Sequence, residues 1–201
     1  ASFSVDFGIG AVDGKDVTTT ITDGDEDLQA AYSFQIDLNT SFTGEDSLDI
    51  AIDAGNSGAT SPLAEFDFNS NATKGSDVLS VDGISYTFPV GGVTAFVGDN
   101  TDGSMLFTTA CVYGGPSNTL DDCGNVNAGI TGGGVSIGAA YDFDNGFTAA
   151  AGAQFVETGI ATKGNADSWA ANLAYTTDSY GASITYAMVE VGTGNDTFTA
   201  L

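Results

Sequence analysis

Tyr32 to Gly55 reads YSFQIDLNTSFTGEDSLDIAIDAG, and its zigzag decides the fold class. Tyr32, Phe34, Ile36, Leu38 and Phe42 share one parity, interrupted only by Thr40, while Ser33, Gln35, Asp37, Asn39 and Ser41 share the other. After Gly44-Glu45-Asp46 the alternation resumes, with Leu48, Ile50, Ile52 and Ala54 against Ser47, Asp49 and Asp53. A period of two belongs to a β-strand, because successive side chains leave opposite faces of the pleat. The two arms flank a glycine-containing turn and so predict an antiparallel hairpin. The first arm alternates over eleven residues, against about five to six in an ordinary soluble strand. Tyr32 to Phe42 spans roughly 33 Å at about 3.3 Å per residue. Tilted by about 45° this projects to roughly 24 Å, close to the ~25 Å apolar band of an outer-membrane barrel. A soluble sandwich strand can carry the same alternation, so the rest of the chain has to decide.

The same pattern recurs outward from this hairpin. Phe3, Val5, Phe7, Ile9 and Ala11 alternate with small or polar residues ahead of it. Behind it, Val78 to Phe88 is strand-like, with a bulge or kink expected at Asp82-Gly83 where the parity changes. Val93 to Asp99 follows; then Val135 to Phe143 and Phe147 to Phe155 flank Asp144-Asn145-Gly146, a strong hairpin turn. Trp169 to Tyr175 and Tyr180 to Tyr186 form a further pair, and Thr197 to Leu201 begins a last strand. Ser61-Pro62 is the one place where a helical turn is expected.

The connections follow a rule of their own. Short turns fall near 43–46, 89–92, 144–146 and 177–179; long ones fall near 12–29, 56–76, 100–132, 157–167 and 192–196. Short and long alternate, as in a bacterial outer-membrane barrel with tight turns at one rim and long loops at the other. A Greek-key sandwich has no reason to keep that order. Phe42, Phe88, Phe143, Phe147, Tyr175 and Tyr180 all lie beside the short turns, where an interfacial aromatic girdle runs.

Composition removes several function classes. The 201 residues carry a net charge of −24, with no His, no Arg and only Lys15, Lys74 and Lys163 as cations. Nucleic acid is therefore excluded as a partner, for want of a basic footprint. Catalysis has little to work with: no His is present for a Ser/His/Asp arrangement, and Gly14-Lys15 is followed by Asp16 rather than completing a phosphate loop. Two-carboxylate glycosidase chemistry is the one enzymatic class that composition leaves open. Asp23 to Asp27 is an acidic loop that departs from calcium-loop spacing, since Leu28 stands where the glycine is required. No metal or other cofactor is expected.

Cys111 and Cys123 sit in a Gly/Pro/Asn-rich connection. They read as a disulfide closing that loop in an oxidising compartment, with a redox or metal pair as the functional alternative. No run approaches the ~20 apolar residues of a spanning helix. Ala1 opens directly on strand-like sequence, as expected of a mature or trimmed chain.

Three segments carry a resemblance: LNTSFTGEDSLDIAIDAGN (Leu38 to Asn56), YTFPVGGVTAFVGDN (Tyr86 to Asn100) and CVYGGPSNTLDDCGN (Cys111 to Asn125). Together they resemble cyanobacterial outer-membrane porins of the carbohydrate-selective or iron-uptake type, particularly those of marine picocyanobacteria. The resemblance implies a barrel of roughly 16 strands, usually trimeric, that passes small solutes. It also implies an N-terminal S-layer-homology domain and further strands, neither of which is among these residues.

The expected fold is thus all-β: nine to ten strands of an antiparallel transmembrane β-barrel, with 1–201 part of a single barrel domain. Outer-membrane lipid is the expected surroundings, a homotrimer the expected assembly, and small hydrophilic solutes or inorganic ions the expected cargo. With the apolar parity facing lipid, Gln35, Asp37, Asn39, Asp49 and Asp53 line the pore along with Ser33, Ser41 and Ser47, and Asp142 and Gln154 do so on the later hairpin. Carboxylates lining water concentrate cations and repel anions, so the expected pore prefers cations. The loop holding Cys111 and Cys123 either folds inward to narrow the channel or lies outside as a lid. A secreted, acidic, β-rich surface or filament protein, stabilised by calcium, is the alternative.

Overall fold

The computed structural model describes residues 1–11, 28–56, 77–109, 130, 134–160 and 165–190, and the backbone of 191 and 194–200. The expectations for Asp23 to Asp27, for Ser61-Pro62 and for Cys111 and Cys123 lie outside the described residues. Ten strands run in chain order: β1 (Ser2–Gly10), β2 (Gln29–Thr40), β3 (Ser47–Gly55), β4 (Ser80–Val90), β5 (Val93–Asp99), β6 (Val135–Asp142), β7 (Phe147–Phe155), β8 (Ser168–Thr176), β9 (Gly181–Val191) and β10 (Gly194–Ala200). No helix occurs among the described residues. Each strand lies beside its neighbours in sequence, in the order β1 to β10, and the pairings resolved residue by residue are antiparallel. No pairing joins β1 to β10, so within these residues the sheet is open and the expected barrel is not closed.

Local chemistry accounts for the strand ends. At the turn after β2, Gly44 takes φ +89, a region without steric penalty only for glycine. At the three-residue turn after β6, Asp144 (φ 58) and Gly146 (φ 89) both have positive φ, where glycine and aspartate are the residues best tolerated. Along β4 the buried positions are Ser80, then Gly83 and Ser85, so the parity changes at Asp82-Gly83 as expected. A side chain at Gly83 would put Cβ 2.7 Å from the Asn100 carbonyl oxygen, which explains the residue chosen there.

Three boundaries differ from the sequence reading. Phe42 is not the last residue of β2 but belongs to the turn, because its N–H is captured by Asp46 rather than by a neighbouring strand. Tyr180 likewise belongs to a turn, held by Thr177, whose N–H and hydroxyl both donate to the Tyr180 carbonyl. The connection expected over 192–196 shrinks to two residues, since Gly194 already pairs with Val191 and Asp196 with Val189. Strand pairing there overrides the turn propensity of Gly, Asn and Asp.

Contacts divide the sheet into two compact units, with 1–38 and 51–82 in one and 39–50, 83–109 and 134–200 in the other. In the first unit, β1 and β2 pair in a register that sorts their side chains by polarity. Phe3 faces Ile36, Val5 faces Phe34 and Phe7 faces Tyr32, while Ser2 faces Asp37, Ser4 faces Gln35 and Asp6 faces Ser33. Among the described residues of this unit, Ala31 and Ala54 are the buried hydrophobic ones.

Most of the buried residues among those described lie in the second unit, and their identity is unusual. Phe96, Ser136, Ala150, Ser168, Ala170, Asn172, Ala174, Thr185 and Ala187 are all buried. The residues between them are Val97, Ile137, Trp169, Leu173, Ile184 and Tyr186, and all are exposed. β8 shows the rule residue by residue, with Ser168, Ala170, Asn172 and Ala174 buried and Trp169, Ala171 and Leu173 exposed.

Candidate functional site

A sheet of a water-soluble domain puts its large apolar residues on the packed face and its polar residues toward water. β6 to β9 do the reverse, whereas β5 keeps the large Phe96 on the covered side. Leu173 is 48% exposed and Trp169 45%, while the Asn172 between them is 4% exposed and Ser136 is 0%. Registered pairing extends the bare face across strands: Val97, Ile137, Ala153, Trp169 and Met188 form one row, and Val93, Tyr141, Ala149, Leu173 and Ile184 another. In the first unit Phe3, Val5, Phe7 and Ile9 are each more than half exposed. Phe34 and Ile36 are half-buried and Leu38 is exposed, so none of them is enclosed in an interior.

Aromatic side chains gather beside the short turns. Phe42 lies 6.1 Å from Tyr86, which stacks on Phe88 at 5.3 Å. Tyr141 meets Phe143 edge-on at 4.8 Å. Phe147 contacts Tyr175 at 4.5 Å, and Tyr175 contacts Tyr180 at 6.1 Å.

The opposite, covered face of the second unit is lined by small or hydroxyl-bearing residues because a segment of backbone lies on it. This strap follows β5 and runs from Thr101 to Thr108. The Thr101 and Ser136 hydroxyls are 2.6 Å apart. Gly103 sits against β7 so closely that a Cβ on Gly152 would overlap the Gly103 carbonyl oxygen, and a Cβ on Gly103 would lie 3.1 Å from the Ala153 oxygen. Thr148 donates its hydroxyl to Thr108 Oγ1 at 3.0 Å, and the Thr108 N–H donates to Asn172 Oδ1 at 3.2 Å. Asn172 donates in turn to Thr185 Oγ1 at 3.0 Å. Ile130, fully buried with Ala170 and Ala187, closes the arrangement together with Phe107. Phe96 fills the space above Gly138, where a Cβ would overlap its ring.

The expected pore-lining residues fall into several groups rather than one. In the first unit Asp37 accepts from the Ser2 hydroxyl at 3.0 Å and from the Gln35 amide at 2.6 Å, and Asp53 accepts from the Ser80 hydroxyl at 2.9 Å. In the second, the Asn39 amide donates to Ser47 Oγ and Asp49 Oδ1, both at 2.6 Å, and Ser47 donates to Asp49 Oδ2 at 2.6 Å. These contacts place Asn39, Ser47 and Asp49 on one face, as their parities require. Asp142 is exposed at the short-turn rim, where it accepts from the Asp144 N–H. Gln154 shares the covered face with Ser136 and Ser168, its register partners, and its Oε1 is sealed from solvent.

Ser33, with Asp6 as its register partner, is half-buried on the polar face of β2. Ser41 has a different task from the one expected. Its hydroxyl donates to Asp46 Oδ1 at 2.6 Å and accepts from the Gly44 N–H at 2.7 Å, so it shapes the turn.

Asp46 is the residue that sequence reasoning passed over as part of a turn. Although 92% of its surface is covered, it carries a charge satisfied from every side. It accepts from Ser41, from the N–H groups of Phe42 and Thr43, from the Thr43 hydroxyl at 2.7 Å and from the Tyr86 hydroxyl at 2.7 Å. The Ser41 and Thr43 hydroxyls, helped by Tyr86 and the Thr43 N–H, hold its carboxyl well below the usual range. Asp46 thereby ties the turn after β2 to β4. Asp46 reaches back to the N–H groups of Phe42 and Thr43, unlike the forward-reaching aspartate of an ordinary turn; Tyr86, 40 positions away, has no local signature.

In comparisons with known proteins the chain matches no family model, no curated protein and no solved structure.

Proposed function

We propose that the chain forms part of the wall of an outer-membrane channel through which small hydrophilic solutes and ions diffuse passively, with cations preferred. The observation that carries this reading is the reversed burial of β6 to β9, with bulky apolar side chains bare and small or polar ones covered. In water a bare face of Val97, Ile137, Trp169, Leu173, Ile184 and Tyr186 would drive aggregation; against acyl chains it is the stable arrangement. Pairs of aromatics beside the short turns support an interfacial girdle at that end.

Selectivity follows from charge. Asp37, Asp49 and Asp53 share the parity opposite to the apolar residues of the hairpin, and the sequence has only three basic side chains to oppose 27 acidic ones. Water-filled walls of that kind attract cations. Lipid is the proposed surroundings, and a homotrimer the proposed assembly.

Purified protein reconstituted into planar bilayers tests the reading. Discrete conductance steps are expected, with a reversal potential in a KCl gradient that reports cation preference. An anion-selective trace overturns the selectivity assignment. Stable, monodisperse behaviour without detergent overturns the channel itself and favours a secreted β-rich surface protein.

A further inference from the structure

The turn between β6 and β7 holds a reactive pair that neither the wall nor the strap uses. Asn145-Gly146 is the only Asn-Gly pair of the sequence. Asparagine is thermolabile, and most so before glycine. The following backbone nitrogen can close a five-membered ring on the side-chain carbonyl carbon, and glycine has no Cβ to block its approach. Asp82-Gly83 and Asp102-Gly103 share the hazard in weaker form, since a carboxylate is a poorer electrophile than an amide. Position in the fold separates the three. Gly83 is buried within β4, and Gly103 is buried against β7, where the backbone has no room to close a ring. Asn145 is exposed at the tip of a hairpin.

The turn also readies the electrophile. The Phe147 N–H donates to Asn145 Oδ1 at 3.1 Å. Attack on Cγ drives negative charge onto that oxygen, and a donor already aimed at it stabilises the tetrahedral intermediate. Glycine is imposed at 146 twice over. Its φ of +89 is one that other residues rarely adopt, and a Cβ there would lie 2.6 Å from the Thr176 carbonyl oxygen. The fold thus retains the unhindered nitrogen that the reaction needs.

We propose that Asn145 is a self-modification site, converted to aspartate and isoaspartate with water as the sole co-reactant. Hydroxide removes the Gly146 amide proton, and the nitrogen bonds to Asn145 Cγ. The Cγ–Nδ2 bond breaks, and ammonia departs with a proton taken from water. Water then opens the cyclic imide at either carbonyl. In sum one water is consumed and one ammonia released, and a negative charge is gained in the turn that already holds Asp144. Opening at the backbone carbonyl leaves isoaspartate, which puts an extra methylene into the main chain. Gly146, whose carbonyl accepts from the Thr176 N–H at 2.8 Å, is thereby displaced from β8. None of this depends on the channel reading, because the turn alone suffices.

Folded protein in detergent micelles, aged in mildly alkaline buffer and then digested, tests it by mass spectrometry. A gain of one mass unit should map to Asn145 ahead of every other asparagine, with a matching rise in methyl acceptance from protein isoaspartate methyltransferase. Asn145→Gln, which needs a slower six-membered closure, should bring that acceptance down to background. Amide exchange at Thr176 should be faster in aged than in fresh protein. It should stay unchanged in Asn145→Asp, which carries the new charge without the longer backbone. An Asn145 that stays intact in the folded protein overturns the proposal, and deamidation in urea alone would show that the turn protects it. Earlier modification of another asparagine overturns it equally. Thr176 exchange that is unmoved after conversion, or that rises as much in Asn145→Asp, refutes the displacement of Gly146.

Discussion

Placing an arginine at Ala171 separates lipid from water more sharply than any other single change. Ala171 is exposed on β8 and is the register partner of Ala151. On β7, Ala151 stands midway between Phe147 and Phe155. At about 3.4 Å per residue those aromatics are roughly 27 Å apart along the strand, or roughly 20 Å along a normal tilted by about 40°. Ala171 is thus near the middle of the apolar band, roughly 10 Å from either edge on the same tilt. A lipid-facing arginine at the midplane of a barrel costs about 2–4 kcal/mol, falling to about 0–1 near the interfaces. That is a loss of roughly 30-fold to roughly 700-fold in the folding equilibrium. An exposed alanine in water loses only about 0.5 kcal/mol or less on the same substitution. Urea titration of folding into phospholipid vesicles, read by heat-modifiable gel mobility, measures the difference. Asp178→Arg, exposed in the turn after β8, is the control and should change little. If Ala171→Arg is as mild as Asp178→Arg, the bare apolar face meets water and the membrane reasoning fails.

Other expectations are narrower. Asp46 has a folded-state pKa below its unfolded value, so its contribution is complete above the ordinary carboxylate range, about 3.9, and is lost as pH falls from there toward the folded value. Thermal melts should accordingly lose less stability between pH 6 and pH 2 in Asp46→Asn than in the parent, after starting from a lower value; parallel acid profiles would argue against this. Tyr86→Phe should loosen the same turn, since it removes one of the donors to that carboxylate, and faster amide exchange at Phe42 and Thr43 would register the change. Replacing Asp37, Asp49 and Asp53 together by Asn should shift the reversal potential toward non-selectivity, and an unmoved potential would mean that other groups set the preference. Reductant should leave conductance unaltered, because the contacts of Thr101, Gly103, Thr108 and Ile130 with β6 to β9 are hydrogen bonds and packing that reductant does not touch; a reversible rise on reduction would contradict that.

The sequence by itself determined the strands and most of the turns. Period-two alternation is local information: a residue's parity decides its face whatever lies beyond, and Asp144-Asn145-Gly146 or Gly44 specifies a turn through its own φ preferences. Hence Asn39, Ser47 and Asp49, which share hydrogen bonds, could be put on one face before any coordinate was known. Local reasoning failed where pairing overrode it, at 192–196, where Gly194 to Asp196 joined a ladder with β9.

Only the tertiary structure decided which face of β5 to β9 is covered and by what. The contacts responsible join residues 35 and 64 positions apart, Thr101 with Ser136 and Thr108 with Asn172. The strap's sequence has no periodicity from which its seat could be read, and Gly152 looks like any strand glycine until Gly103 is found above it. Alternation says that two faces differ; long-range packing alone says which one the chain folds back upon.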